Sequence, residues 1–283
     1  MGYVLLAPFA AWVFFVLFYP AINTVHLSFT DTRTIGAEYG YVGVANYERV
    51  LQSSAFWDAT LRSIVWLGGN LLLQTAIAFP TALLLRQSWR LAEQARVWVL
   101  LPWVIPTVAV TVIWQWMLNA HYGVVGYILQ ALQIVAGPLN VFGSRDGALP
   151  GTIVANSWAW FPLSAVVLFG AMRTIPSELY EAARVDGAGS WAQFRFITLP
   201  MIRKVMFAVG LVGALWSFNV LDVIYLITRG GPAGATLTLP VAIYDMAFRD
   251  FRIGQAAAMS VVAIVILAGA AALYVRFMSP PED

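Results

Sequence analysis

The chain contains no cysteine and a single lysine, Lys204. Charged residues of all kinds make up 11% of its 283 positions. Each shortage closes off a class of function. Without cysteine there is no disulfide, no thiolate nucleophile and no Cys-ligated metal. The two histidines, His26 and His121, lie in different segments, so a paired-His metal site is not expected. A phosphate-binding loop needs Gly-Lys-Ser/Thr, but Lys204 follows Arg203, so nucleotide hydrolysis is not expected of this chain. No Ser-His-Asp set and no cluster of carboxylates within an apolar run is present, which leaves an enzyme or a proton pump with little support. A net charge of +2 is too small to suggest nucleic-acid binding. Soluble domains carry about a quarter charged residues. With 60% hydrophobic residues, this chain has too little polar surface to cover a water-soluble globule, so most of it must face lipid or other buried helices.

What is abundant is long apolar runs. A membrane helix needs about 20 mostly apolar residues, and six segments qualify: 4–27, 63–85, 97–118, 152–172, 205–227 and 255–275. The first is read as a retained span, because it is longer than a signal h-region and no basic segment precedes it. A weaker stretch, 122–142, is interrupted by Gln130, Gln133, Gly137, Pro138 and Asn140, and reads as a helix at the outer surface or a partly inserted loop. Short loops rich in Lys and Arg stay in the cytoplasm. Arg86, Arg90, Arg96, Arg173, Arg184, Arg195, Arg203, Lys204 and Arg276 fall on one side of a six-span arrangement. The other side holds Arg33, Arg49, Arg145, Arg229, Arg249 and Arg252, offset by five acids. This places both termini in the cytoplasm. Prolines inside spans (Pro8, Pro20, Pro80, Pro102, Pro106, Pro162) predict kinked helices, with the freed carbonyls satisfied by neighbours. Short linkers and the lack of an internal repeat predict one domain over 1–283, an all-α membrane protein.

Between the fourth and fifth spans lies a polar island, 176–200. Glu178, Glu181, Ala182 and Ala183 form helix readily. Gly187 supplies a residue free to take positive φ where the chain reverses, and Pro200 restarts the chain into the next span. The ordinary reading is a solvated helix–turn–helix loop. Yet Glu181-Ala182-Ala183, Gly187 six residues on, and the closing Ile197-x-Leu199-Pro200 stand together at fixed spacing. This resembles the EAA loop of ABC importer permeases. A second stretch, 216–232, resembles their carbohydrate branch, the maltose/trehalose/glycerol-3-phosphate type, through Phe218-Asn219, Asp222 and Thr228-x-Gly230-Gly231-Pro232. Tyr244, Ala247-Phe248, Ala256–Ala258 and the opening Val42-Gly43, Asn46-Tyr47, Phe56-Trp57 extend the likeness over most of the chain. The second span departs from it, beginning Leu61-Arg62-Ser63 where the family has Asn-Thr.

The resemblance implies that the loop is a coupling helix inserted into a cleft on an ATPase subunit. Glu178, Glu181, Ala182, Ala183, Arg184, Asp186, Gly187 and Ala188 would carry that contact. It implies further a second, similar permease, two copies of a cytoplasmic ATPase and an external solute-binding protein. ATP and Mg would sit on the ATPase chains, with no cofactor on this one. The setting is a prokaryotic cytoplasmic membrane.

Polar residues within spans are expensive and default to functional candidates. Asn219 and Asp222 are three residues apart, which on one helix gives them a common face; Ser217 precedes them. Asp222 has two readings: a functional one, as an acceptor for sugar hydroxyls or a gate residue, and a structural one, as an ion pair or helix cap near the outer end of the span. Asn156 and Trp160 open the fourth span, and positions like these line the transport cavity in maltose-type permeases. Amides bind sugar hydroxyls, and aromatic faces take their C–H surfaces. Each Trp has the alternative reading of an interfacial belt residue. Gln115, with Asn119, is a weaker candidate. The rivals from other classes are an ion-coupled secondary transporter or channel, resting on Asp222 alone, and a membrane scaffold whose polar loop binds a signalling partner.

Overall fold

The computed structural model describes residues 8–9, 12–33, 40–87 and 90–279. The described residues are overwhelmingly helical, and their only β feature is an isolated bridge, Thr30 to Tyr41. A π-helical turn at Phe14–Phe18 leads into α1 (Tyr19–Ser28). There follow α2 (Ala45–Gln52), α3 (Ser54–Arg86), α4 (Ala92–Val104), α5 (Thr107–Met117), α6 (Val124–Ala131) and α7 (Ala148–Arg173). After these come α8 (Ser177–Val185), α9 (Ser190–Met201, with a π-helical turn at Phe194–Thr198), α10 (Arg203–Phe218), α11 (Asp222–Thr228), α12 (Leu239–Phe248) and α13 (Ile253–Met278).

Three of these, α3, α7 and α13, are long and apolar enough to cross a membrane, and up to five spans result if each bent pair counts as one. The expected spans 63–85, 152–172 and 255–275 fall within these three helices. The expected span 4–27 lies partly outside the described residues; the apolar helical stretch seen there is Phe14–Ser28. The expected span 97–118 is not one rod. It breaks between α4 and α5, which meet at 93°. The cause is local: Ile105 precedes Pro106, and its ψ of 129° is extended. The proline ring disfavours helical backbone in the residue before it. Pro80 and Pro162, by contrast, lie inside continuous helices. The expected span 205–227 also divides, since α10 ends at Phe218 and α11 begins at Asp222. Of the stretch 122–142, only Val124–Ala131 is helix; the rest is turns, bends and irregular chain.

The described residues fall into two compact units, one drawn from 1–62 and 237–270, the other from 63–236 and 271–283. In the first, Asn46 ties the loop after α1 in place. Its Nδ2 donates to the carbonyls of Ser28 (2.9 Å) and Thr30 (2.7 Å). Ser28 Oγ shares a 2.6 Å hydrogen bond with the Tyr47 hydroxyl, and the Gly254 N–H donates to Thr32 O at 2.9 Å. A side chain at Gly254 would run into the Thr30 carbonyl, so the start of α13 passes this loop only as glycine.

In the second unit α3 and α7 carry the core. Ala78, Ala82 and Leu85 recur at i, i+4 and i+7 on α3, and Ala165, Leu168, Phe169 and Met172 do so on α7. These helical spacings put each set on one face. The alanines let the two backbones approach, as membrane helix pairs require. Ile175 and Ile202 complete the cluster, at the roots of the α8–α9 elbow.

Candidate functional site

Two places in the second unit carry polar chemistry: the α8–α9 elbow and a cavity lined by α3, α7 and α10.

The elbow begins at Pro176, whose extended ψ of 136° sets off α8. Glu178 lies in the first turn and Arg184 in the last, so the charges complement the helix dipole. The helix ends in a Schellman arrangement. Ala188 N–H donates to Ala183 O at 2.8 Å, Gly187 N–H to Arg184 O at 3.1 Å, and Gly187 takes a φ of +82°. That φ is unstrained only for glycine. Asp186 is the capping residue. Glu178, Glu181, Ala182, Arg184, Asp186 and Gly187 are exposed, while Ala183 and Ala188 are half-buried. Apolar side chains stand out with them: Val185 is 88% exposed, and Leu179, Trp191 and Phe196 are exposed too. The elbow thus shows a mixed apolar and charged outer face, and all eight residues expected to act in coupling lie on it or at its turn.

Its inner face is fixed by a residue the sequence reading did not single out. Tyr180 packs against the α3–α7 core, with the Arg86 guanidinium 4.1 Å from its ring centroid. Its hydroxyl shares a 2.9 Å hydrogen bond with Thr198 Oγ1 on α9. Phe194 of α9 meets Phe79 of α3 edge-on, with centroids 5.4 Å apart.

The cavity has a volume of about 370 Å³, in the range of small-ligand sites. Asn156, Trp160 and Ser164 of α7, Gln74 of α3, and Trp216 and Ser217 at the end of α10 give it its polar and aromatic lining. Aliphatic residues such as Leu163, Val167 and Val212 form the rest, and no lining residue is ionisable as an acid or base at neutral pH. Trp160 and Trp216 meet edge-to-face at 5.7 Å.

Behind this wall is a buried amide network. Asn70 on α3 is fully buried. Its Oδ1 accepts from Asn156 Nδ2 (2.6 Å), Ser157 Oγ (3.1 Å) and Gln74 Nε2 (3.4 Å), and its Nδ2 donates to Trp66 O (2.9 Å). The Trp66 indole N–H donates to Ser217 O at 2.8 Å, linking α3 to the end of α10. Asn156 Oδ1 is buried with no hydrogen-bond partner. Asn70, Gln74 and Trp216 were not singled out from the sequence. The available signal was a pair of amides four residues apart within an apolar run, which is costly unless used.

The other three expected pathway residues lie elsewhere. Gln115 Nε2 donates to the carbonyls of Leu226 (3.0 Å) and Ile227 (3.1 Å), satisfying the end of α11. Asn219 is exposed at the end of α10 and donates back to Leu215 O at 2.8 Å. Asp222 is exposed at the start of α11, where its Oδ1 accepts from the Val223 N–H at 2.9 Å. The break at 219–221 removes the common helical face expected for Asn219 and Asp222. Asn119 accepts from the His121 and Tyr122 N–H groups, an Asx turn.

Residues 74–279 match the model of the binding-protein-dependent transport system inner membrane component family. The diacetylchitobiose uptake system permease protein of Streptomyces coelicolor is 32% identical, covering 99% of this chain and 87% of its own length. The trehalose/maltose transport system permease protein of Thermococcus litoralis is 29% identical, covering 98% and 92%. A subunit in the crystal structure of a bacterial ABC transporter that imports the acidic polysaccharide alginate shares the fold, with a TM-score of 0.82 at 23% identity over 98% of this chain and 96% of that one. The chain belongs to the binding-protein-dependent transport inner membrane component family and is a multi-pass membrane protein.

Proposed function

We propose that this inner membrane component is one of two permease subunits in an ATP-driven importer, and that the cargo is a neutral di- or oligosaccharide. The observation that carries the cargo class is the cavity lining: two edge-on tryptophans, two amides and two serine hydroxyls, with no ionisable acid or base. Such walls suit C–H faces and hydroxyls. They offer nothing to neutralise a phosphate or carboxylate, which sets this chain's cavity apart from one for glycerol-3-phosphate or an acidic polysaccharide. The named relatives transport trehalose/maltose and diacetylchitobiose, which supports the same reading.

In this reading the chain crosses the membrane six times, with both termini and the 176–200 elbow in the cytoplasm. A second, homologous permease completes the pathway, and two ATPase subunits hold Mg-ATP and grip the elbows of the pair. An extracytoplasmic binding protein delivers the sugar; the solved alginate transporter, in complex with a ligand-bound periplasmic protein, is a precedent in its own case. Coupling requires only that nucleotide and sugar make different contacts in two arrangements of the helices. The rival ion-coupled transporter rested on Asp222, whose exposed place at the start of α11 offers no buried ion site. The test is reconstitution: the permease pair with its ATPase and binding protein should take up a neutral oligosaccharide in an ATP-dependent manner. ATP-independent uptake by the permease alone would contradict the proposal.

A further inference from the structure

We propose that Arg86 and Tyr180 are positioning residues for energy coupling: together they clamp the elbow to α3, so that a displacement of α8 reaches the cavity. This rests on the coupling reading above and names the residues through which it acts. Tyr180 joins three elements at once. Its ring lies under the guanidinium of Arg86, the last residue of α3, at 4.1 Å, and its hydroxyl is bonded to Thr198 on α9 at 2.9 Å. Thr198 is 2% exposed, so the Thr198 end of that part-buried bond is shielded from water. The Phe79–Phe194 contact between α3 and α9 braces the same corner about two turns further along α3.

From this corner α3 runs without a break to Gln74 and Asn70. At 1.5 Å per residue these lie about 18 and 24 Å away along the helix. Gln74 lines the cavity, and Asn70 holds Asn156, which lines it too. One helix therefore has the elbow at one end and the polar wall of the cavity further along. The opposite side of α8, with Glu181, Ala182 and Val185, is exposed and available to a partner. An elbow pushed from its outer face and fastened on its inner face moves what it is fastened to. An unfastened elbow would yield by itself. The guanidinium is suited to the fastening because it stacks on an aromatic face while staying charged.

The test uses the complete transporter in proteoliposomes with sugar-loaded binding protein, and reads ATP hydrolysed per sugar taken up. Co-purification of the ATPase checks assembly in parallel. Tyr180→Leu and Arg86→Gln are expected to raise ATP per sugar by about fivefold or more, the low end of typical coupling between sites. Tyr180→Phe, which keeps the ring and loses the Thr198 bond, should fall between, and Arg86→Lys should restore part of the loss. The double variant should be no worse than the worse single, as for partners in one contact. If Tyr180→Leu does not assemble, Arg86→Gln decides alone. An unchanged ratio in Arg86→Gln and in an assembled Tyr180→Leu, with Gly187→Pro uncoupled, overturns the clamp and leaves the coupling role of the elbow standing. An unchanged ratio in Gly187→Pro as well overturns both.

Discussion

Asn156 Nδ2 donates a 2.6 Å hydrogen bond to Asn70 Oδ1, joining α7 to α3 across 86 residues of sequence. Both side chains are buried, and Ser157 and Gln74 converge on the same oxygen. Interhelical hydrogen bonds in membrane proteins average about 0.6 kcal/mol and reach about 1.7. Asn70→Leu, which strands several donors at once, should cost on the order of 1–2 kcal/mol. A lowered thermal midpoint of the detergent-solubilised complex would show it; an unchanged midpoint would remove the network from the account.

The cavity wall makes a kinetic prediction. Asn156→Ala or Trp160→Ala should raise the sugar concentration needed for half-maximal uptake. One neutral hydrogen bond is worth about 0.5–1.5 kcal/mol, so the expected rise is about 2- to 12-fold. Asp222→Asn, at a residue that does not line the cavity, should change it by less than about twofold. Uptake of labelled sugar at saturating ATP reads both, and a larger effect at Asp222 than at Asn156 would move the pathway away from the cavity described.

Gly187 sits at a φ of +82°. An alanine there would cost about 1–2 kcal/mol locally, which the elbow should survive with reduced coupling. A proline removes the N–H that donates to Arg184 O and demands φ near −65°, so Gly187→Pro should reshape the turn. We expect Gly187→Pro and Glu181→Lys to leave the protein in the membrane while separating ATP hydrolysis from uptake. Normal sugar-stimulated turnover in both variants would contradict this.

How much of this was legible in the sequence differs from element to element. The turn at Gly187 was readable because a single residue type meets its backbone requirement. Helices α3, α7 and α13 were readable from unbroken apolar length. The right-angled break at Ile105–Pro106 carried its own signal, the rule for a residue before proline, but hydropathy runs through it without a dip. The break after Phe218 has no proline or glycine to mark it. There the exposed Asn219 side chain bonds back to Leu215 O, a stop that hydropathy does not register. Gln115 looked like a pathway residue because polar groups inside spans demand a use. In the structure it donates to the carbonyls at the end of α11, more than a hundred residues on. Asn70 and Tyr180 acquire their roles from partners distant in sequence, so only the fold brings their importance into view.

The absence of cysteine makes the central claim directly testable. Val185 stands 88% exposed on the outer face of α8, and Val185→Cys would be the sole thiol of the chain. The measurement is labelling of that thiol by a membrane-impermeant maleimide, in intact cells and in inside-out vesicles, with and without the co-expressed ATPase. The account predicts labelling in inside-out vesicles alone, and protection once the ATPase is bound. Labelling from outside intact cells, or labelling in inside-out vesicles that the ATPase does not diminish, would contradict it.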